Sequence, residues 1–196
     1  QTKLANTDAW EELQKLNEIS DPRKLIAGRT LRIPDNLSGP DLARAEAVLV
    51  KGQVTVSRGD GAPAVPLQTG DLLHVGSTIE TTDNGLLTLR FADQSRMLIS
   101  PNSRLTLNQL HFKLSSDEGI MDATLTDGNV ESQVNPLKGT GARYEIKTPS
   151  QNLAARGATF RVQLDGKTGL TRSSVLEGAV KATNAKGEVN IPAGFG

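Results

Sequence analysis

Few residues in this sequence belong to the types that carry out covalent catalysis. The chain of 196 residues has no cysteine and only two histidines, His74 and His111. Nucleophilic catalysis needs a base beside the nucleophile, most often a histidine beside serine or cysteine. Each histidine stands among apolar residues in a strand-like segment, which favours a structural position over a catalytic or metal-binding one. The sequence therefore predicts no catalytic residue, no metal site and no cofactor.

Paired carboxylates, which glycoside hydrolysis requires, occur at two places. Glu11 and Glu12 are adjacent on a predicted helix, where neighbours in sequence do not face each other. Asp117 and Glu118 fall in a predicted turn. We interpret both pairs as solvated charge. A wall-modifying enzyme is therefore the least favoured of the functions considered below.

The charge balance and the lengths of the apolar runs exclude further classes of function. Lys plus Arg and Asp plus Glu both number 22, so the formal net charge is zero. Nucleic-acid binding usually draws on a basic excess, because phosphate neutralisation supplies much of the affinity. We therefore predict no nucleic-acid partner. The longest apolar run, Ala47 to Val50, is far too short to span a bilayer, so no membrane span is expected in this chain.

The elements that must position any site fall into two regions, the first of which is helix and turn. A helix is predicted near residues 8–17, since Trp10, Leu13 and Leu16 form one apolar stripe at helical spacing. Leu31-Arg32-Ile33 alternates like a short strand.

A linker separates this region from the rest of the chain. Residues 35–45 show no periodicity, and their Gly-Pro step breaks both helix and strand. The predicted domain organisation is therefore a first segment at 1–34, the linker, and a second domain at 46–196.

Residues 46–196 follow the period-two pattern of strands. Leu87, Leu89 and Phe91, for example, alternate with more polar neighbours, and turn signals such as Asp127-Gly128 and Asp165-Gly166 separate the runs. The predicted fold class is mainly β: an antiparallel jelly-roll-like β-sandwich, with a β-solenoid as the alternative. The first segment adds a small N-terminal helix-turn-strand unit.

The first segment resembles the second half of a LysM module. The resemblance lies in Trp10 to Ile19, Asp21-Pro22, Leu25 and Gly28 to Pro34. LysM modules are small β-α-α-β folds that bind N-acetylglucosamine-containing glycans such as peptidoglycan. The resemblance implies that one wall of a glycan groove is formed by Asn17, Ile19, Asp21, Pro22 and Leu25. The other wall belongs to the first half of the module, so peptidoglycan binding is expected to need the complete module.

The second domain resembles a FecR-type domain along nearly its whole length. Matching stretches include Leu67 to Leu73, Leu87 to Ser95 and Pro101 to Leu105. The strongest stretch contains six residues with an expected structural role: Thr148, Pro149, Arg156, Gly157, Thr159 and Phe160. The FecR family is all-β and jelly-roll-like, and it includes periplasmic parts of iron-uptake signalling regulators.

Arg156 is the polar residue that the sequence singles out, because Ala154, Ala155 and Phe160 flank it. We expect its side chain to lie against the sheet interior and to pair with an acid. A contact with a ligand is the alternative.

Together, the two resemblances imply a non-catalytic cell-envelope protein. It would associate with peptidoglycan through LysM and use the FecR-type domain to bind another envelope protein. The alternative is a periplasmic signal-receiving domain of an iron-uptake regulatory system. Either function implies a periplasmic or envelope-associated location. Iron itself is not the expected ligand, because the oxygen and imidazole ligands of a hard cation do not cluster in this sequence.

Overall fold

The computed structural model describes residues 14–19, 21, 31–32, 44–59, 63–113, 118–137, 139 and 141–196. Within them, residues 14–16 are helical, which agrees with the end of the predicted N-terminal helix. Its first residues lie outside the described part. Leu31 and Arg32 are not in a strand, contrary to prediction, and Ile33 is outside the described residues. None of the helices in the described part is long and apolar enough to cross a membrane.

Strands make up nearly all the regular structure that follows. Their bounds are β1 (Arg44–Lys51), β2 (Val54–Ser57), β3 (Val65–Pro66), β4 (Leu72–His74), β5 (Thr78–Thr81), β6 (Leu86–Arg90), β7 (Arg96–Ile99), β8 (Arg104–Lys113), β9 (Glu118–Gln133), β10 (Arg143–Lys147), β11 (Asn152–Ala155), β12 (Thr159–Asp165), β13 (Leu170–Glu177), β14 (Ala179–Asn184) and β15 (Gly187–Pro192). The fold is therefore mainly β, as predicted.

The strands form two layers that share one long strand, β9. Residues 128–133 of β9 pair with β7 and β12, in a first layer ordered β4-β1-β6-β7-β9-β12-β13. Residues 118–127 pair with β8 and β10, in a second layer ordered β3-β2-β5-β8-β9-β10-β11-β14-β15. Among the described strands, every pairing is antiparallel except that of β9 with β10, which is parallel. The sheet is thus mixed rather than purely antiparallel, and it does not stack as a solenoid.

Gly128 lies where β9 passes from one layer to the other. Its φ is +91°, and a Cβ there would stand 2.2 Å from Ser103 Oγ. An L side chain would therefore be both strained and obstructed. The Asp127-Gly128 pair, predicted to be a turn, instead lies inside β9, because the strand continues through the crossing.

A single hydrophobic core lies between the layers. Phe91, at the end of β6, and Phe160 of β12 come from the first layer, and Tyr144 of β10 comes from the second. The Tyr144 ring meets both edge-to-face, with centroids 5.8 Å from Phe91 and 6.3 Å from Phe160. Such pairs contribute about 0.5–1.5 kcal/mol each beyond the area they bury. Ala45 of β1 is also fully buried in this core.

Candidate functional site

Thr148 and Pro149 form the tight turn from β10 to β11. The Thr148 hydroxyl donates to the Gln151 carbonyl at 3.0 Å, and the Gln151 amide donates to the Thr148 hydroxyl at 3.2 Å. The Thr171 hydroxyl of β13 donates to Thr148 Oγ1 at 3.0 Å, which ties this turn to the edge of the first layer. The hydroxyl of Thr148 therefore holds the turn together.

Arg156 organises the connection between β9 and β10. Its Nη2 donates to the carbonyl oxygens of Gly139 at 2.7 Å and Ala142 at 3.1 Å. Arg156 is exposed, so the prediction that it lies against the sheet interior is wrong. A guanidinium at the surface keeps its hydration while it bonds the loop, whereas burying it would carry a large desolvation cost.

Gly157 sits where three chain segments meet. A Cβ on Gly157, whose φ is +119°, would stand 3.2 Å from Pro136 Cα. A Cβ on Gly178, at φ +76°, would stand 2.5 Å from the Gly157 carbonyl oxygen. Between them the Val134 amide donates to the Ala158 carbonyl at 2.9 Å. The backbones approach so closely here that both positions require glycine.

Thr159 and Phe160 connect this crossing to the core. The Thr159 hydroxyl donates to Glu177 Oε2 at 3.2 Å, and Phe160 is fully buried. The Tyr144 hydroxyl, packed against Phe160, donates to Ser132 Oγ at 3.0 Å. Burial raises the pKa of Tyr144 far above its ordinary value. The phenol therefore stays protonated and acts as a structural hydrogen-bond group.

A buried ion pair in the second layer was missed by the sequence analysis. The Asp122 side chain is 2% exposed, accepts from Lys147 Nζ at 2.5 Å and accepts from Asn108 Nδ2 at 2.9 Å. Little in the sequence indicated it, because Asp122 alternates with Met121 and Ala123 at an outward position, where an acid ordinarily indicates a solvated charge. Its charge is compensated by these contacts, so the cluster is structural.

A cleft of about 810 Å³ opens between the edge strands β3 and β4. Val65, Leu72 and Val75 border it and are each about half exposed, at 52%, 47% and 51%. Its described walls also include Val56, Leu67, Leu73, Arg58, Asp71 and His74. The sequence analysis did not predict this site. The apolar residues around Pro63 and Pro66 are the feature of the sequence that could have indicated this cleft.

The side chains of Asp71 and Ser77 at the β3–β4 cleft are used by local turns. Asp71 Oδ2 accepts from the Gln68 amide at 2.8 Å. The His74 amide donates to Ser77 Oγ at 3.2 Å, and the Ser77 amide donates to the His74 carbonyl at 3.1 Å. Among the described residues, no group of three His, Cys, Asp or Glu side chains could hold a metal ion. The cleft thus offers mainly apolar contact.

The LysM-like residues are only partly described. Asn17 Nδ2 donates to the Arg32 carbonyl at 2.7 Å, and the Arg32 amide donates to Asn17 Oδ1 at 2.5 Å. These two bonds hold the Asn17 side chain against the backbone of Arg32. Ile19 is buried and Asp21 is partly exposed. Pro22 and Leu25 lie outside the described residues, so their glycan contact stays a prediction.

These contacts define the class of this molecule: a two-layer β-domain whose motif residues hold turns and chain crossings. The sequence model of the family described as FecR protein matches residues 77–181, more than half of the chain, and the chain belongs to this family. The match runs from β5 into β14. Most of the residues that line the β3–β4 cleft precede it.

Other comparisons give weaker similarities. A search of curated proteins finds no significant relative. Two crystal structures of a putative anti-sigma factor from Parabacteroides distasonis, at 1.65 Å and 2.50 Å resolution, are 14% identical to this chain. Their TM-scores are 0.46 and 0.47, and the alignments cover 59% of this chain and 51% of theirs. This chain thus spans about half the length of those structures.

Proposed function

We propose that this chain is a non-catalytic regulatory domain of the bacterial cell envelope that receives a signal by binding another protein at the β3–β4 cleft. Membership of the FecR family supports the regulatory class and a periplasmic location. The observation that carries the choice of ligand is the exposure of Val65, Leu72 and Val75 around one concave surface. Clustered exposed apolar residues of this kind mark interaction sites in soluble proteins.

A protein fits this cleft better than a small polar molecule or a metal ion does. Small-molecule sites combine an apolar lining with a few polar groups that converge on the ligand. Here the Asp71 carboxylate accepts from the Gln68 amide and the Ser77 hydroxyl accepts from the His74 amide, so both side chains are directed to neighbouring backbone. Apolar side chains of a partner need no such convergent groups, and their burial contributes about 25 cal/mol per Å².

Site-specific photo-crosslinking in the source bacterium tests this proposal. A photo-reactive amino acid replaces Leu72 or Val75 in the complete protein. Leu170 and Leu176, which are as exposed but lie on β13, provide matched controls at 52% and 49% exposure. We expect one adduct of the same mass from both cleft positions and none from the controls. Equal labelling at the controls, or no adduct from the cleft, would contradict the proposal.

Attachment to peptidoglycan is the second proposed function. The two hydrogen bonds between Asn17 and Arg32 favour it, since they join the residue that follows the short helix to the later part of the LysM-like segment. Co-sedimentation with insoluble peptidoglycan tests it. We expect residues 1–34 alone to stay in solution, and fusion of the first half of a LysM module to their N-terminus to give retention. Strong retention of residues 1–34 alone would refute the requirement for a complete module.

A further inference from the structure

β15 is hydrogen-bonded to β14 along one edge, and its other edge is exposed. β15 pairs with β14 through six residues, in the register Asn184↔Gly187, Ala182↔Val189 and Val180↔Ile191. Among the described strands it pairs with no other. Val189 points to the core side of the second layer, opposite buried Ala182, yet is 59% exposed because no described strand pairs with β15 on its other side.

The hydrogen-bond alternation of β15 determines which groups face this edge. A two-residue turn joins Asn184 to Gly187, so that pair is hydrogen-bonded, and bonded pairs recur at every second residue. The Ala193 amide, which donates to the Gly178 carbonyl at 3.0 Å, continues the same alternation. The amides and carbonyls of Glu188 and Asn190 therefore point outward, in the plane of the sheet, along the open edge.

This edge is complementary to itself. When two copies of β15 run antiparallel around a dyad at Val189, Glu188 of one copy stands opposite Asn190 of the other. Both residues direct their amide and carbonyl across the edge, so four backbone hydrogen bonds form. The pairing places a carboxylate beside an amide, with no like charges opposed.

We propose that two copies of this chain associate through β15, joining their second layers into one continuous antiparallel sheet. The dyad is normal to the sheet, so the core-facing sides stay on the same side and the two Val189 side chains meet there. Val189 lies in a non-hydrogen-bonded pair across the dyad, where Cβ atoms approach to about 5 Å. An isologous contact of this kind closes at two copies.

The other edge strand at this end of the molecule, β13, is a poor site for the same pairing. An antiparallel self-pairing over its outward-facing groups, those of Thr171 and Ser173, centres on Arg172 and opposes two like charges. The chain's own terminal residues also lie there, since a Cβ on Gly196 would stand 2.1 Å from the Ser173 carbonyl oxygen. We therefore expect self-pairing at β15 and not at β13, and variants on β13 serve as controls.

Cysteine crosslinking tests the register directly, because the natural chain contains no cysteine. Val189→Cys places two sulfurs within disulfide reach across the dyad. We expect mild oxidation to convert this variant to a covalent dimer at least about tenfold faster than Leu170→Cys, which is similarly exposed. Equal rates for the two variants would show random collision and overturn the proposal.

Sedimentation equilibrium of the full chain tests association without a crosslink. We expect the average mass to rise with concentration from 20.8 kDa towards twice that value. Val189→Lys, which sets two ammonium groups against each other, should raise the dissociation constant about tenfold or more without changing the melting temperature. Leu170→Lys should leave the constant unchanged. A monomer at all concentrations, or a dimer insensitive to Val189→Lys, would overturn the proposal.

Discussion

The two open ends of the sandwich deal with exposed strand edges in different ways. At the β13–β15 end, the terminal residues cover the edge of β13: the Gly194 amide donates to the Val175 carbonyl at 2.8 Å, and the Val175 amide donates to the Phe195 carbonyl at 2.9 Å. At the β3–β4 end, Pro66 removes a donor and Ser77 bonds both backbone groups of His74. At the first end, additional backbone pairs with an edge strand. At the second end, the edge strands have fewer backbone groups available for pairing.

This difference indicates how each end can be recognised. At the β3–β4 end, where fewer backbone groups are available, the exposed side chains of Val65, Leu72 and Val75 are the surface that a partner can contact. A partner there is expected to bind through apolar side chains. At the β13–β15 end, the outward backbone groups of β15 are available, and strand addition is the expected mode. Variants at each end can therefore sharpen or break this distinction.

The largest effect is expected at Gly178, which follows β13. Gly178→Ala adds a Cβ 2.5 Å from the Gly157 carbonyl oxygen at a φ of +76°. We expect a loss of about 3–5 kcal/mol in unfolding free energy, from backbone strain and the clash together. Gly169→Ala is the matched control, with φ +71° and open space around it, and should cost about 1–2 kcal/mol. Urea denaturation measures both, and equal losses would refute the close-crossing argument.

Removing residues 193–196 is expected to have the next largest effect. The deletion breaks the three backbone hydrogen bonds that join these residues to β13 and the residue after it, those of Ala193 to Gly178 and of Gly194 and Phe195 to Val175. At roughly 1 kcal/mol net per bond, we expect a loss of about 1–3 kcal/mol. The Val175 amide should also exchange with solvent faster, whereas the His74 amide at the other end should not. Unchanged exchange at Val175 would show that these residues do not protect the edge.

Arg156→Ala should reduce stability by a smaller amount. Hydrogen bonds to the carbonyls of Gly139 and Ala142 hold the β9–β10 connection, but the side chain is exposed. We therefore expect about 1 kcal/mol, at the low end for charge-assisted bonds, rather than the 3–5 kcal/mol or so of a broken buried pair. Arg172→Ala on β13 is the exposed control. A loss for Arg156→Ala no larger than that of the control would contradict the loop-anchoring role.

Much of the fold could be predicted from the sequence, because alternation is a local property of a strand. Leu87 and Leu89 point into the core as their pattern predicts. The parallel pairing of β9 with β10 could not be predicted. The local pattern at Gly128 predicts a turn that reverses the chain, whereas β9 continues through this residue in the same direction. Arg156 was misplaced for a related reason: its apolar neighbours share its segment, but only the fold shows that this segment ends at the surface.

Charged substitutions in the β3–β4 cleft should scarcely change stability. Leu72→Glu and Val75→Glu alter side chains that are already half exposed, so each should cost less than about 0.5 kcal/mol. Both should abolish the crosslinked adduct proposed for this cleft. Leu73→Glu is the contrasting variant, because Leu73 is 2% exposed in the core and its replacement should unfold the domain. A large loss at Leu72 would show that the cleft is part of the core.

The smallest effect is expected at the turn from β12 to β13, where Asp165 responds to pH. Its pKa is lowered from the usual value of 3.8, mainly because the Lys167 amide donates to Oδ1, with further bonds from Thr168. A lowered pKa in the folded chain means that the carboxylate favours folding above the ordinary value, and that this contribution is lost as pH falls through the lowered one. Asp165 is fully exposed, so we expect local weakening of the turn and no global transition.

NMR should show the Lys167 and Thr168 amide shifts titrating together below pH 3.8, while the Val175 amide stays constant. Asp165→Asn keeps an acceptor oxygen and should remove the titration with the turn intact. Persistence of the titration in that variant would assign it to another group. A simultaneous response at Val175 would mean that the turn and the covered edge open as one unit.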